Sequence, residues 1–290
     1  MTRKDPSLRK IQVADATIAT WEWEGEGNPI LLVHATGLHG RCWDRVVNAL
    51  PTHRVIAVDV RGHGQSSCPP PPYRWSHLAR DVARVVEQLG LEHVLGVGHS
   101  MGGNLVTRVA AELPTRFDRI LLLDPAIVPP EILAMIATAG DRIPPVRRRS
   151  RFASASQMAA RLRQRDGFSR WDLRVLEDYC RHGLRPSPDG HGFELACPPE
   201  IEGACYVGQA DPDIYEQLRS IDLPVHIVRA RAHPEGRFIP DFSYSPTWPN
   251  LVNEFRNATE LHLTESTHFF PMEQPELVAA LVSAYAEKAL

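Results

Sequence analysis

The sequence predicts an α/β protein built on a doubly wound, mostly parallel sheet with an inserted helical segment, and three observations carry that expectation. Apolar runs of strand length alternate with stretches of helical periodicity along the first 125 residues. One such run, Val94-Leu95-Gly96-Val97-Gly98, breaks into a glycine-flanked serine and resumes as the helical pattern Asn104, Leu105, Val106, Val109, Ala110. Strand-like runs then lapse between residues 126 and 220 and return at 223. The expected organisation is a core made of residues 1–125 and 221–290, with residues 126–220 as a helical cap.

Taken in order, residues 8–13 and 18–24 are β-rich runs separated by Ala14-Asp15-Ala16, which predicts an antiparallel hairpin at a sheet edge. Residues 30–33 are continuously apolar and bounded by turn residues, as suits a strand buried on both faces. A small-residue loop from His34 to Trp43 leads into a helix ending near Leu50. Residues 54–58 form the next strand, followed by the tight turn Asp59-Val60-Arg61-Gly62-His63-Gly64-Gln65-Ser66. Past a stiff proline run, Leu78, Val82, Val85, Val86 and Leu89 keep helical spacing up to Gly90. Residues 119–123 make the strand after the serine turn and its helix. In the cap, residues 157–165 and 171–182 read as amphipathic helices, with no long β-branched run. Residues 223–230 and 259–264 are the last strands, and a helix begins near Pro275.

The 290 residues suffice for one large core with an insertion. A net charge of -3 offers no basic field for a phosphate backbone, so nucleic acid is not an expected partner. No apolar run approaches a membrane span and the first residues are charged, which places the protein in the cytoplasm as an expectation. Five cysteines at 42, 68, 180, 197 and 205 form no C-x-x-C pair, and the 13 histidines show no metal-ligand spacing. Neither a disulfide framework nor a metal or other cofactor is expected.

Gly98-x-Ser100-x-Gly102 between a strand and a helix is the pattern of a nucleophile elbow, in which the serine hydroxyl stands clear of the backbone. A serine hydroxyl is a weak nucleophile, so it needs a base within hydrogen-bond reach and a third group to orient that base. His268 directly follows the last strand, at the carboxyl edge of the sheet, and is the expected base. His99 points away by strand alternation and reads as a packed structural residue. The amide of Met101 opens the helix after the elbow, where an unpaired N–H and the helix dipole favour a developing oxyanion.

Three segments, Gly98-His99-Ser100-Met101-Gly102-Gly103, the 59–66 turn and His268-Phe269-Phe270-Pro271-Met272-Glu273-Gln274-Pro275, resemble motifs of the α/β-hydrolase superfamily in that family's order. The resemblance covers nearly the whole chain and implies an α/β-hydrolase fold with a helical cap. It also implies that Thr36 supplies the second oxyanion donor, although Ala35 stands where the family usually has glycine. Family members mostly carry the acid just after the strand that here spans 225–230, and this chain has no aspartate there. Three carboxylates remain open for that role. Asp124 ends the strand after the elbow helix and ranks first as the better preorganised; Asp241 and Glu235 are the alternatives.

The resemblance and the residues together lead to a cofactor-independent serine hydrolase acting on a small-molecule carboxylic ester or lactone. Aspartate at position 100 would have suited a dehalogenase or an epoxide hydrolase; serine does not. A carbon-carbon bond hydrolase acting on a diketone-like substrate uses the same triad, and a non-catalytic hydrolase-fold receptor can retain it silently. Arg147, Arg148, Arg149 and Arg151 either attract an anionic substrate or form a solvated surface, and the acidic residues interspersed through the same insertion favour the solvated surface. Phe152, Phe168, Trp171, Tyr179, Phe242 and Trp248 either line a substrate pocket or are core.

Overall fold

The structure is a computed structural model and describes residues 3–50, 52–139, 147–234 and 241–287. The chain runs β1 (Ser7–Gln12), β2 (Thr17–Trp23), β3 (Glu26–Val33), α1 (Asp44–Asn48), β4 (His53–Asp59), α2 (Trp75–Gln88), β5 (Val94–His99), α3 (Met101–Glu112) and β6 (Phe117–Leu123). There follow α4 (Pro130–Ala139), β7 (Arg151–Phe152), α5 (Ala155–Leu162), α6 (Asp166–Ser169), α7 (Leu173–His182), β8 (Leu184–Pro186), β9 (Phe193–Leu195), α8 (Pro199–Gly208) and α9 (Ile214–Ser220). Last come β10 (Val225–Ala230), β11 (Ala258–Leu263), α10 (Phe270–Glu273) and α11 (Pro275–Ala286).

Eight strands form one sheet in the order β1-β2-β4-β3-β5-β6-β10-β11. The β1–β2 hairpin and the β2–β4 pair are antiparallel, and every other pairing in that sheet is parallel. Strand alternation divides the core in two. Leu31, Val33, Ile120 and Leu122 pack beneath Leu78 and Val82 of α2 and Leu105 and Val109 of α3. Ile30, Leu32, Leu121 and Leu123 face the other way, onto Val46 and Val47 of α1 and Val278 and Val282 of α11. Each such side chain contributes roughly 1.5–3 kcal/mol on burial, whereas an exposed ion pair contributes about 0–1 kcal/mol, so these two layers set the stability. The exposed edge strand β1 carries Arg9 and Lys10, charges that discourage pairing with another chain.

The segment between β6 and β10 departs from the sequence reading in one respect. Its helices are present, but β7, β9 and β8 also pair as a three-stranded antiparallel sheet. Strands of two or three residues are too short for a period-two alternation to register, so the pattern gave no sign of them. Among the described residues no helix is long and apolar enough to cross a membrane.

β5 is the strand on which the rest converges, and glycines allow that convergence. A methyl group on Gly98 would lie 2.2 Å from the Gly102 carbonyl oxygen, and one on Gly102 would lie 2.1 Å from the Val33 carbonyl oxygen. The helix α3 therefore rests directly on the backbones of β3 and β5. Gly102→Ala should lower the urea unfolding midpoint despite alanine's advantage of about 1 kcal/mol in a helix, because overpacking against fixed backbone costs about 1–3 kcal/mol or more. An unchanged or raised midpoint would contradict this close approach.

Candidate active site

Ser100 sits between β5 and α3 with φ 55° and ψ -118°, a backbone conformation rarely adopted by a residue with a side chain. Local hydrogen bonds hold it there: its N–H donates to the Leu123 carbonyl at 3.1 Å, and its carbonyl accepts from Gly103 and Ala126. The Ser100 hydroxyl lies 2.9 Å from His268 Nε2, and His268 Nδ1 lies 2.6 Å from Asp124 Oδ2. The structure thus brings Ser100, His268 and Asp124 into one hydrogen-bonded line, with Asp124 fully buried and His268 nearly so.

Asp124 follows the last residue of β6 at φ 46°, in the left-handed region that aspartate tolerates better than most residues. Its N–H donates to the Val228 carbonyl at 2.7 Å, tying it to β10. Oδ1 accepts hydrogen bonds from the Ala230 N–H (2.9 Å) and the Ser245 hydroxyl (2.5 Å), the Thr247 hydroxyl lies 3.2 Å away and 2.8 Å from the Pro125 carbonyl, to which it donates, and Oδ2 remains for His268. Where family members mostly place the acid, just beyond β10, this chain supplies donors to a carboxylate on the neighbouring strand. Asp241 is exposed, and its Oδ1 accepts the Ser243 N–H at 2.8 Å within its own turn; the structure does not bring it to His268. Glu235 lies outside the described residues.

The loop containing Asp241 nevertheless reaches the site. The Phe242 carbonyl accepts the His268 N–H at 3.2 Å, and its ring stacks on the imidazole with centroids 5.5 Å apart. His99 is buried, as expected, and its Nε2–H donates to the His268 carbonyl at 2.9 Å. The backbone of His268 is therefore held at both its N–H and its carbonyl. Phe242 is among the aromatics that the sequence offers as pocket candidates, but its contact with His268, the roles of Ser245 and Thr247 and the His99 contact are not visible there. Each joins positions far apart in the chain and belongs to no short motif.

Thr36 and Met101 meet through their side chains, with Thr36 Oγ1 3.4 Å from Met101 Sδ. Among the described residues no loop, turn or cap hydrogen bond uses either amide. Ala35 is accommodated at an ordinary negative φ, and the positive φ of this loop falls on Gly37, at 76°. Three bonds pin the loop to the 59–66 turn. The Val60 N–H donates to His34 Nε2, the Gly37 N–H to His63 Nε2 (3.0 Å each), and the Gly40 N–H to Asp59 Oδ1 at 2.6 Å. Since Nε2 accepts in both histidines, Nδ1 carries the proton and donates to the carbonyls of Ala35 and Arg61. Burial depresses both imidazoles, His63 to about 4 and His34 well below the ordinary value. Arg61, which closes the turn, is buried against Asp81 and also forks onto Asp15, whose carboxyl it draws down to about 2.

Glu202 of α8 lies over this loop, such that a methyl on Gly37 would be 2.9 Å from Glu202 Oε1. Burial raises the Glu202 carboxyl, and Arg148, with Nη1 3.2 Å from Oε2, partly offsets that. Asp44, Asp178 and His182 form the one group among the described residues with metal-ligand spacing. Both carboxylates there are already paired, Asp44 with Arg41 and Asp178 with Arg45, so the donor set is taken. A cavity of about 590 Å³ lined by Glu26, His53, His93 and Asp118 lies at the amino ends of the strands, away from Ser100.

A sequence model described as the alpha/beta hydrolase family matches residues 30–281. The chain belongs to that family. It is 30% identical to a non-heme haloperoxidase of Rhodococcus erythropolis over 261 residues, covering 85% of this chain and 88% of that one. It is 27% identical to the lipase LipV of Mycobacterium tuberculosis (87% and 91% covered) and 25% identical to 3-oxoadipate enol-lactonase 2 of Acinetobacter baylyi (81% and 79%). Among solved structures, E-2-(acetamidomethylene)succinate hydrolase superposes with a TM-score of 0.77 at 20% identity, covering 98% of this chain and 100% of that one, a likeness of fold.

The neutral histidines make stability depend on pH. His34, His39, His63 and His99 all have folded values below the unfolded value of about 6.5, so the unfolded chain binds more protons as pH falls. Stability should therefore be full at about pH 7.5 and decline toward pH 6. Below that, the buried Asp44 carboxyl, raised to about 6, acts in the opposite sense. Urea titrations at pH 7.5 and 6 should show a lower midpoint at pH 6 and a smaller difference in His63→Asn. A midpoint that rises on going to pH 6 would contradict neutral buried imidazoles.

Proposed function

We propose that this protein is a serine hydrolase cleaving a carboxylic ester or lactone through an acyl-enzyme on Ser100. The observation that carries the reading is the line from Asp124 Oδ2 through both nitrogens of His268 to the Ser100 hydroxyl, with spacings of 2.6 and 2.9 Å. His268 Nε2 takes the serine proton as Ser100 attacks the carbonyl, and the buried Asp124 carboxylate stabilises the imidazolium and holds its tautomer. The proton then passes to the leaving alkoxide. The amides of Met101 and Thr36 receive the tetrahedral oxyanion, a term worth about 2.7–4 kcal/mol for one donor. Water, activated by His268, releases the acid. The reaction needs no cofactor.

Residues 126–220 act as the cap in this reading. Its support is the contact between that segment and the site: the Asp172 N–H donates to the Met272 carbonyl at 3.0 Å, and the Trp171 ring lies 5.4 Å from that of Phe269. The relatives named lipase and enol-lactonase favour ester and lactone chemistry over carbon-carbon cleavage. The strained backbone of Ser100, maintained alongside both triad hydrogen bonds, favours an enzyme over a silent receptor.

Ser100→Ala should lower kcat by about 10⁴- to 10⁶-fold with the unfolding midpoint kept, and His268→Ala should be comparable. Because base and nucleophile act as a unit, the double variant should be little worse than either one. Asp124→Asn should cost about 10³- to 10⁴-fold at neutral pH, and Asp241→Asn less than about tenfold. The measurements are burst and steady-state release of p-nitrophenol from activated esters. Wild-type turnover in Ser100→Ala, or loss confined to Asp241→Asn, would overturn the assignment.

A further inference from the structure

A second cavity, of about 420 Å³, lies in the segment between β6 and β10. Arg147, Arg148, Arg149, Arg161 and Arg165 line it, and none of its lining residues is acidic. Arg147, Arg161 and Arg165 form no ion pair among the described residues, and Arg149 packs its guanidinium over the Phe152 ring at 5.3 Å. The inner wall is Arg148. Its Nη1 reaches Glu202 Oε2 at 3.2 Å and donates to the Tyr179 hydroxyl at 3.3 Å, while its Nε is buried with no hydrogen-bond partner. A buried guanidinium N–H without an acceptor is costly unless a ligand supplies one.

The floor of this cavity is apolar, and its residues pack against side chains that reach the Ser100–His268 side. Phe152, Met158, Tyr179 and Leu195 line the cavity and belong to one packed cluster with Ala35, the neighbour of Thr36. Phe168 joins the same wall, and its ring is 4.9 Å from Trp171, which meets Phe269 beside His268. Glu202, the partner of Arg148, lies against Gly37 on the same loop as Thr36. An arginine-lined mouth over an apolar floor fits a ligand with an oxyanion at one end and a hydrocarbon body.

We propose that this cavity is the distal substrate subsite, which selects esters whose acyl group carries a carboxylate or phosphate at the end away from the scissile carbonyl. This rests on the serine-hydrolase reading above and adds the substrate class. The arginine run that reads in sequence as a solvated surface is then a recognition surface, with Arg148 reaching furthest in.

The test compares p-nitrophenyl esters of hexanoate, of adipate as its monoester, and of 6-phosphohexanoate, which differ at the far end only. At low ionic strength kcat/KM for at least one anionic ester should exceed that for hexanoate by about tenfold or more, mainly through KM, and salt should shrink the excess. Whichever anionic ester shows the larger ratio identifies the head group. Arg148→Gln and the double variant Arg161→Gln with Arg165→Gln should each reduce the ratio at least about threefold, while Arg163→Gln, outside this cavity, should keep it. Equal kcat/KM for all three esters, or a ratio untouched by the cavity variants, would overturn the subsite. If no ester turns over, the hydrolase reading fails on its own. Calorimetry of free adipate, 6-phosphohexanoate and hexanoate with the full chain then decides the cavity: binding of an anion that Arg148→Gln weakens supports it, and equal or absent binding of all three overturns it.

Discussion

The structure depends on a contact between backbones with no side chains between them. At Gly98 and Gly102 the strand β5, the helix α3 and the end of β3 approach to distances at which a single methyl group would collide with a carbonyl oxygen. That approach forces the chain to turn within one residue, and the residue at the turn is Ser100. It also places the first amide of α3 beside the loop that follows β3. The geometry of Ser100 and of the Met101 amide is thus set by packing in the middle of the sheet, where two apolar layers fix it most firmly.

Around that contact the other groups are held by polar bonds that take their strength from burial. The 34–40 loop is irregular backbone and could not stay in place by packing alone. Imidazoles of His34 and His63, both neutral, accept its N–H groups or those of the facing turn, and Asp59 accepts a third. The Asp59-Val60-Arg61-Gly62-His63-Gly64-Gln65-Ser66 turn acquires a physical role here. It carries no group that touches the serine, but it supports the loop that bears Thr36. His99 serves a similar purpose on the other side by fixing the carbonyl of His268.

What could be read from the sequence follows the range of the interaction concerned. The strands of the main sheet, the helices α2, α3 and α11 and the elbow at Ser100 announce themselves through periodicity and glycine placement within a few residues. His268 could be placed from its position after the last strand. Asp124 could only be ranked above Asp241 and Glu235, because the groups around its carboxylate, at 230, 245 and 247, arrive from the end of β10 and the loop beyond it, more than a hundred residues away. The same distance hides the stacking of Phe242 on the imidazole and the approach of Glu202 to Gly37. The small sheet of β7, β8 and β9 escaped notice for the opposite reason, since its strands are shorter than the period that would reveal them.

The anchoring of Asp124 has a consequence for how such sites can vary. β6 and β10 pair in parallel, with Leu123 opposite Val228, so their carboxyl ends open onto the same small volume. A carboxylate launched from either strand end can reach Nδ1 of a histidine held above the sheet, provided the other strand end and its loop contribute donors rather than a second negative charge. In the proposed triad the third member is therefore defined by a point in space at the sheet edge, which either strand end can reach. Ser100 and His268 have no such freedom, because each is bound at its own backbone by the structure immediately around it.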